Sequence, residues 1–122
     1  MKFTSYQIKG KGRGKTLGFP TINLAVPEGF RLQKGVYAVR MTMSAKTYPG
    51  VLHWGPIPTF HEPKAGLEVF LLQTPSMAAD MFDFPLTVTV VRRIRPVRAF
   101  SSQDALTKQI AQDVSFARSF LF

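Results

Sequence analysis

The sequence predicts a mainly β fold, an antiparallel barrel or sandwich closed by one C-terminal α-helix. Short strand-like runs follow one another along most of the chain, nearly every connection between them holds proline or glycine, and helical spacing of apolar residues is confined to the segment after Phe100. At 122 residues the chain is long enough for one core and too short for two, so a single domain over residues 1–122 is expected.

Residues 3–8 read as the first strand, and a glycine- and lysine-rich loop follows. Gly35-Val36-Tyr37-Ala38-Val39-Arg40-Met41-Thr42-Met43 is rich in β-branched and aromatic side chains and forms a second strand. Residues 48–54 pair with it through a turn around Ser44-Ala45-Lys46. Residues 67–73 make a further strand, and Leu86-Thr87-Val88-Thr89-Val90-Val91-Arg92-Arg93-Ile94 is the clearest of all. Between them, Pro56, Pro58, Pro63 and Gly66 oppose regular pairing, which predicts a mobile surface loop over residues 56–66. After Phe100, Ser101 or Ser102 offers an N-cap and Asp104 suits the positive end of a helix dipole. Leu106, Ile110, Val114, Ala117 and Leu121 then recur at the spacing of one helix face.

Composition narrows the function classes. Hydrophobic residues make up 45% and charged residues 19%, so the chain folds rather than remaining disordered. The absence of cysteine excludes disulfides and thiolate metal sites, and two histidines, His53 and His61, are too few for zinc without carboxylates. No apolar run approaches the roughly 18 residues of a membrane-spanning helix, and the first residues do not read as a signal peptide. A cytoplasmic protein without membrane partners is expected. The formal charge of +9 favours an anionic partner without choosing among nucleic acid, nucleotide and acidic lipid.

The segment from Gly10 to Asn23 chooses. Gly10, Gly12 and Gly14 free the backbone to approach a ligand, Lys11, Arg13 and Lys15 supply positive charge, and Thr21 and Asn23 follow as neutral oxygen donors in a turn stiffened by Pro20. That set suits a polyphosphate and its metal. It is not a Walker loop: Gly14-Lys15-Thr16 matches the tail, but Lys9 stands where the first glycine belongs, and Leu17-Gly18-Phe19-Pro20 cannot open a helix. It is not a dinucleotide fingerprint either, since Lys15 occupies the position of the third glycine. Magnesium takes hard oxygen ligands and keeps several waters, so a hydroxyl, an amide oxygen and phosphate oxygens suffice. In an extended segment Thr21 and Asn23 leave the same face. Glu68 is the suspicious acid, because it stands inside the otherwise apolar run Leu67-Glu68-Val69-Phe70-Leu71-Leu72.

At Gly18-Phe19-Pro20-Thr21-Ile22-Asn23 the chain resembles the riboflavin kinase (flavokinase) family, and the resemblance continues in order through nearly the whole sequence. It runs through Gly35-Val36-Tyr37-Ala38-Val39, Gly55-Pro56-Ile57-Pro58-Thr59-Phe60, Leu67-Glu68-Val69, and Ile94-Arg95-Pro96 with Phe100, ending at Leu106, Gln109, Ile110 and Asp113. It implies a six-stranded antiparallel Greek-key barrel with a C-terminal α-helix, as in the kinase domain of bifunctional riboflavin kinase/FAD synthetases. The implied reaction moves the γ-phosphate of ATP to the 5'-hydroxyl of riboflavin, giving FMN and ADP, with Mg2+. No adenylyltransferase segment is present in the sequence, which suggests a kinase-only protein or an excised module.

Residue by residue, the resemblance implies that Gly12, Arg13, Gly14 and Lys15, with Gly18 and Pro20, bind the phosphates. Thr21 and Asn23 match the metal-binding pair, Glu68 the catalytic base, and Arg95 the arginine near the flavin. Gln109 and Asp113, beside the helical apolar stripe, either enter a flavin pocket between helix and barrel or lie at the margin of that stripe. The chain departs from the family pattern at His53, where asparagine is common, at Phe82-Asp83, and at Val97, where a glutamate is usual. These departures keep open a non-catalytic flavin or nucleotide binder. A small basic barrel that binds RNA leaves Glu68 and Pro20-Thr21-Ile22-Asn23 unexplained, so no nucleic-acid partner is expected; a monomer is.

Overall fold

The computed structural model describes residues 1–8, 21–56, 65–73 and 84–122. Its strands are β1 (Lys2–Ile8), β2 (Thr21–Leu24), β3 (Gly35–Met43), β4 (Lys46–Gly55), β5 (Gly66–Leu71) and β6 (Pro85–Arg95), followed by helix α1 (Gln103–Leu121). They close into a barrel in the order β1-β2-β5-β4-β3-β6, every neighbouring pair antiparallel. Strand β2 lies beside β5 rather than β3, which makes the β2–β5 unit a Greek key, and closure gives each of the six described strands a neighbour on both sides.

The structure departs from the sequence expectation at β2. The segment after Pro20 is a strand, not a turn: Ile22 and Leu24 point inward while Thr21 and Asn23 stay half-buried on the other side, and all four residues pair with β5. Long-range pairing therefore overrides the local turn chemistry of proline and asparagine. The proline-rich connection is also shorter than expected at its end, because Gly66 opens β5 and pairs with Gly55; residues 57–64 lie outside the described residues. Ser44 takes the left-handed conformation, φ 54°, that closes the β3–β4 hairpin.

Two apolar layers hold the barrel. Alternate residues of each strand point inward, so Leu24, Met41, Leu52, Leu67, Val69, Leu86 and Val88 fill the interior. Val36, Ala38, Val51 and Phe70 point outward, yet they too are buried, because α1 lays Leu106, Ile110, Val114, Ala117 and Leu121 over them. Strands β3, β4 and β5 thus carry apolar residues on both faces where α1 covers them. Helix α1 starts at the Ser102 N-cap, whose hydroxyl accepts the Ala105 backbone N–H at 3.1 Å, and Asp104 sits in the first turn. At one end of the barrel Phe30 packs edge-on against Phe3 and Trp54, and the Trp54 indole donates to the Leu32 carbonyl at 2.8 Å.

The long strand β6 breaks its period twice. Its register with β3 shifts between Val36 and Tyr37 and again between Ala38 and Val39, skipping Ile94 and Val91. Each bulge bends the strand and re-aims the side chains beyond it. As a result Arg95 comes opposite Val36, on the side covered by the helix.

Gly55, at the end of β4, has φ +138°, and a Cβ built there would lie 2.9 Å from Val97 Cγ2. Backbone conformation and space both demand glycine. Gly55→Ala is expected to lower stability by about 1–3 kcal/mol, read as a shift of the urea midpoint at unchanged slope.

Candidate active site

A single row of side chains runs around the outside of the barrel. Directly paired residues in an antiparallel ladder point to the same face, with Cβ atoms about 5 Å apart. The register Asn23↔Glu68↔His53↔Val36↔Arg95 therefore sets these five side by side across β2, β5, β4, β3 and β6. Val36 belongs to the apolar cluster beneath α1, so the row lies on the helix side and not in the barrel interior. Thr21, two residues before Asn23, joins the same face opposite Phe70.

Glu68 is the chemical centre of this row. It is 4% exposed, a depth at which a carboxylate needs polar company. Its cross-strand neighbours are polar on both sides: Asn23 on β2 and His53 on β4, the latter 9% exposed. The run that flanks Glu68 in sequence is apolar because Leu67, Val69 and Leu71 serve the interior while Phe70 serves the layer under the helix.

Thr21 and Asn23 offer a hydroxyl and an amide oxygen on the Glu68 side of the barrel. Among the described residues no group of three or more His, Asp or Glu side chains comes together to hold a metal. What Thr21 and Asn23 would themselves offer a cation is two neutral oxygens, to be completed by oxygens of the cation's own ligands. That donor set fits a hard, partly hydrated magnesium ion accompanying phosphates.

At the far end of the row, Arg95 is held by the helix. Its Nε donates to Asp113 Oδ1 at 3.0 Å and to Oδ2 at 3.2 Å, and its Nη2 donates to Oδ2 at 2.8 Å. Gln109 Nε2 donates to Asp113 Oδ1 at 3.0 Å, one helical turn away. Arg95 Nη1 also reaches the Pro96 carbonyl at 3.2 Å, and the guanidinium lies 5.6 Å from the Phe100 ring centre. Asp113, 2% exposed, thereby fixes the arginine in one orientation. These three residues and Ile94, Gln112 and Phe116 line a cleft of about 200 Å³ between barrel and helix.

The structure thus brings Thr21, Asn23 and Glu68 together, and separately brings Arg95, Gln109 and Asp113 together at the mouth of the cleft. Asp113 does not lie at the margin of the helical stripe: it is buried in it, as the partner of Arg95. Gly12, Arg13, Gly14, Lys15, Gly18 and Pro20 fall outside the described residues, as do Phe82 and Asp83. Sequence reasoning missed Gln112 and Phe116, although both stand three residues along the helix from predicted site residues, at Gln109 and Asp113. It also treated His53 as a mere replacement, whereas the register seats it against Glu68.

The family model described as Flavokinase, riboflavin kinase, matches residues 1–121. The bifunctional riboflavin kinase/FMN adenylyltransferase of Escherichia coli K12 is 37% identical over 114 residues, covering 93% of this chain and 36% of that protein. The chain therefore spans little more than a third of that relative's length. Among solved structures, a macrolide-efflux protein from Streptococcus pneumoniae superposes with a TM-score of 0.77 at 27% identity, over 96% of this chain and 38% of the other. The riboflavin kinase of Trypanosoma brucei superposes with a TM-score of 0.63 at 20% identity, over 98% of this chain and 78% of the other, a likeness of fold.

Proposed function

Since this chain belongs to the riboflavin kinase family, we propose that it transfers the γ-phosphate of ATP to the 5'-hydroxyl of riboflavin, yielding FMN and ADP. The observation that carries the reading is the outer row, in which an acid, two neutral oxygen donors and an anchored arginine share one face beside a cleft.

In this reading Glu68 accepts the proton of the 5'-hydroxyl, the hydroxyl oxygen attacks the γ-phosphorus, and the bond to the bridging oxygen of ADP breaks. Such transfers depend on positioning and charge stabilisation more than on covalent chemistry. Thr21 and Asn23, on the strand next to the base, are the residues that would hold magnesium. When bound, the ion supplies neutralisation of the charge shared by the β- and γ-phosphates. Gly12, Arg13, Gly14, Lys15, Gly18 and Pro20 are the residues assigned to binding those phosphates. Arg95, fixed by Asp113 and Gln109, faces the flavin side of the cleft and steadies the new phosphate.

Residues 1–122 act as one riboflavin kinase domain, and we place its work in the cytoplasm as a monomer. No helix among the described residues is long and apolar enough to cross a membrane. A non-catalytic nucleotide binder would use Thr21 and Asn23 but would have no use for a general base at Glu68 on the strand beside them. Incubation with riboflavin, ATP and magnesium followed by chromatography should yield FMN in stoichiometry with ADP; recovery of riboflavin alone would refute the proposal.

The metal assignment has its own test. Asn23→Ala should raise the magnesium concentration needed for half-maximal rate about tenfold or more, the equivalent of ~1.4 kcal/mol for one lost oxygen ligand. An unchanged magnesium titration would remove Asn23 from the metal site.

A further inference from the structure

The outer row continues past Asn23. The β1–β2 ladder pairs Asn23 with Ile8, which places Ile8 on the same outer face, on the side of Asn23 away from Glu68. Ile8 is 47% exposed, and Tyr6, two residues earlier on that face and about 7 Å along the strand, is 55% exposed. Tyr6 in turn pairs with Pro85 on β6, and Phe84 beside that proline is 42% exposed. The apolar patch has a polar border, because Thr4 and Thr87, the next pair on the same face, hydrogen-bond to each other at 3.2 Å. Isolated exposed apolar side chains are ordinary, whereas an aromatic and an aliphatic one sharing a face beside two candidate metal donors make a surface suited to a ligand.

We propose that Ile8 and Tyr6 form the platform on which the purine base of the phosphate donor stacks. This inference rests on the kinase reading, with Glu68 as base and Thr21 and Asn23 as metal donors. Phosphoryl transfer sets the attacking and leaving oxygens roughly in line across the γ-phosphorus, so the nucleoside extends away from the acceptor hydroxyl. The acceptor side of the row runs from Glu68 through β4 and β3 to the cleft at Arg95. The other end of the donor therefore leaves past β2, and the strand next to β2 on that side is β1. In sequence, Ile8 and Thr21 also bracket the residues assigned to the phosphates. A base presents a flat ring that stacks on aromatic and aliphatic surface, which the Tyr6 phenol and the Ile8 side chain supply without charge.

The test measures MgADP binding by titration calorimetry, together with steady-state kinetics, for the wild type, Tyr6→Ser, Ile8→Ser and Tyr6→Phe. Both positions are exposed, so the serine variants leave the barrel core intact. Each serine variant should weaken MgADP binding and raise KM for ATP about 5- to 50-fold, with KM for riboflavin and kcat at saturating ATP within about threefold of the wild type. Tyr6→Phe keeps the ring and should bind MgADP as the wild type does. Magnesium tripolyphosphate carries the charge without the base, and its inhibition constant should agree within about threefold among all four proteins. Serine variants that bind MgADP like the wild type, or that lose MgADP and tripolyphosphate in equal measure, would overturn the platform while leaving the kinase reading in place. A wild type that forms no FMN would instead overturn the kinase reading itself and this inference with it.

Discussion

Replacing Glu68 by glutamine is expected to slow FMN formation by roughly 10²–10⁴-fold, the contribution typical of a positioned general base. Glutamine keeps the shape and the hydrogen-bonding capacity of the side chain, so the variant isolates proton transfer from packing. Glu68 is nearly enclosed and lies between Asn23 and His53, and removing its charge should leave the barrel folded. Binding of the magnesium–nucleotide should weaken little, because Thr21 and Asn23 remain in place on β2. A Glu68→Gln enzyme with kcat within about threefold of the wild type would remove Glu68 from the chemistry.

The second large effect concerns stability. Asp113 receives two N–H groups of Arg95 and the amide of Gln109, and the side chains of the ion pair are 13% and 3% exposed for Arg95 and Asp113. Asp113→Ala strands the guanidinium against the helix with its partner gone. Breaking a buried pair from one side costs about 3–5 kcal/mol, and the partial exposure of Arg95 places this case at the low end, about 3 kcal/mol. For a domain of this size that corresponds to a fall of about 10 °C in Tm. The double variant Asp113→Leu with Arg95→Met should recover most of that loss while abolishing the anchored cation beside the cleft. Thermal unfolding of the wild type and both variants in parallel measures both claims. Equal Tm for Asp113→Ala and the wild type would show that the pair contributes no net stability.

How much of this could be read from the sequence varies with the range of the interaction. Strand β3 was legible to its ends, because Gly35 to Met43 is dense in β-branched and aromatic residues and is bounded by turn chemistry. Helix α1 was legible through its cap and its buried stripe, both local properties. Strand β2 was not. Its four residues have no strand signal strong enough to outweigh Pro20 and Asn23, and it exists because β5 pairs along its whole length.

The site divides in the same way. Glu68 stood out because a charge inside an apolar run is anomalous whatever the fold. That it faces Asn23 and His53 depends on register, and register is set by contacts far apart in the chain. The side-by-side placement of Arg95 and Val36 needed two bulges that no sequence period announces. The direct ion pair from Arg95 to Asp113 needed the helix docked on the barrel, which turned a marginal helical residue into the buried centre of a network.

A crystal structure of the protein with riboflavin, magnesium and ADP bears most directly on the claim that chemistry occurs on the outer, helix-side wall of the barrel. The flavin is expected between β6 and α1, with its 5'-hydroxyl about 3 Å from a Glu68 carboxylate oxygen and the magnesium on Thr21 and Asn23. A flavin bound elsewhere, with Glu68 touching neither the hydroxyl nor the path to the phosphate, would disprove it.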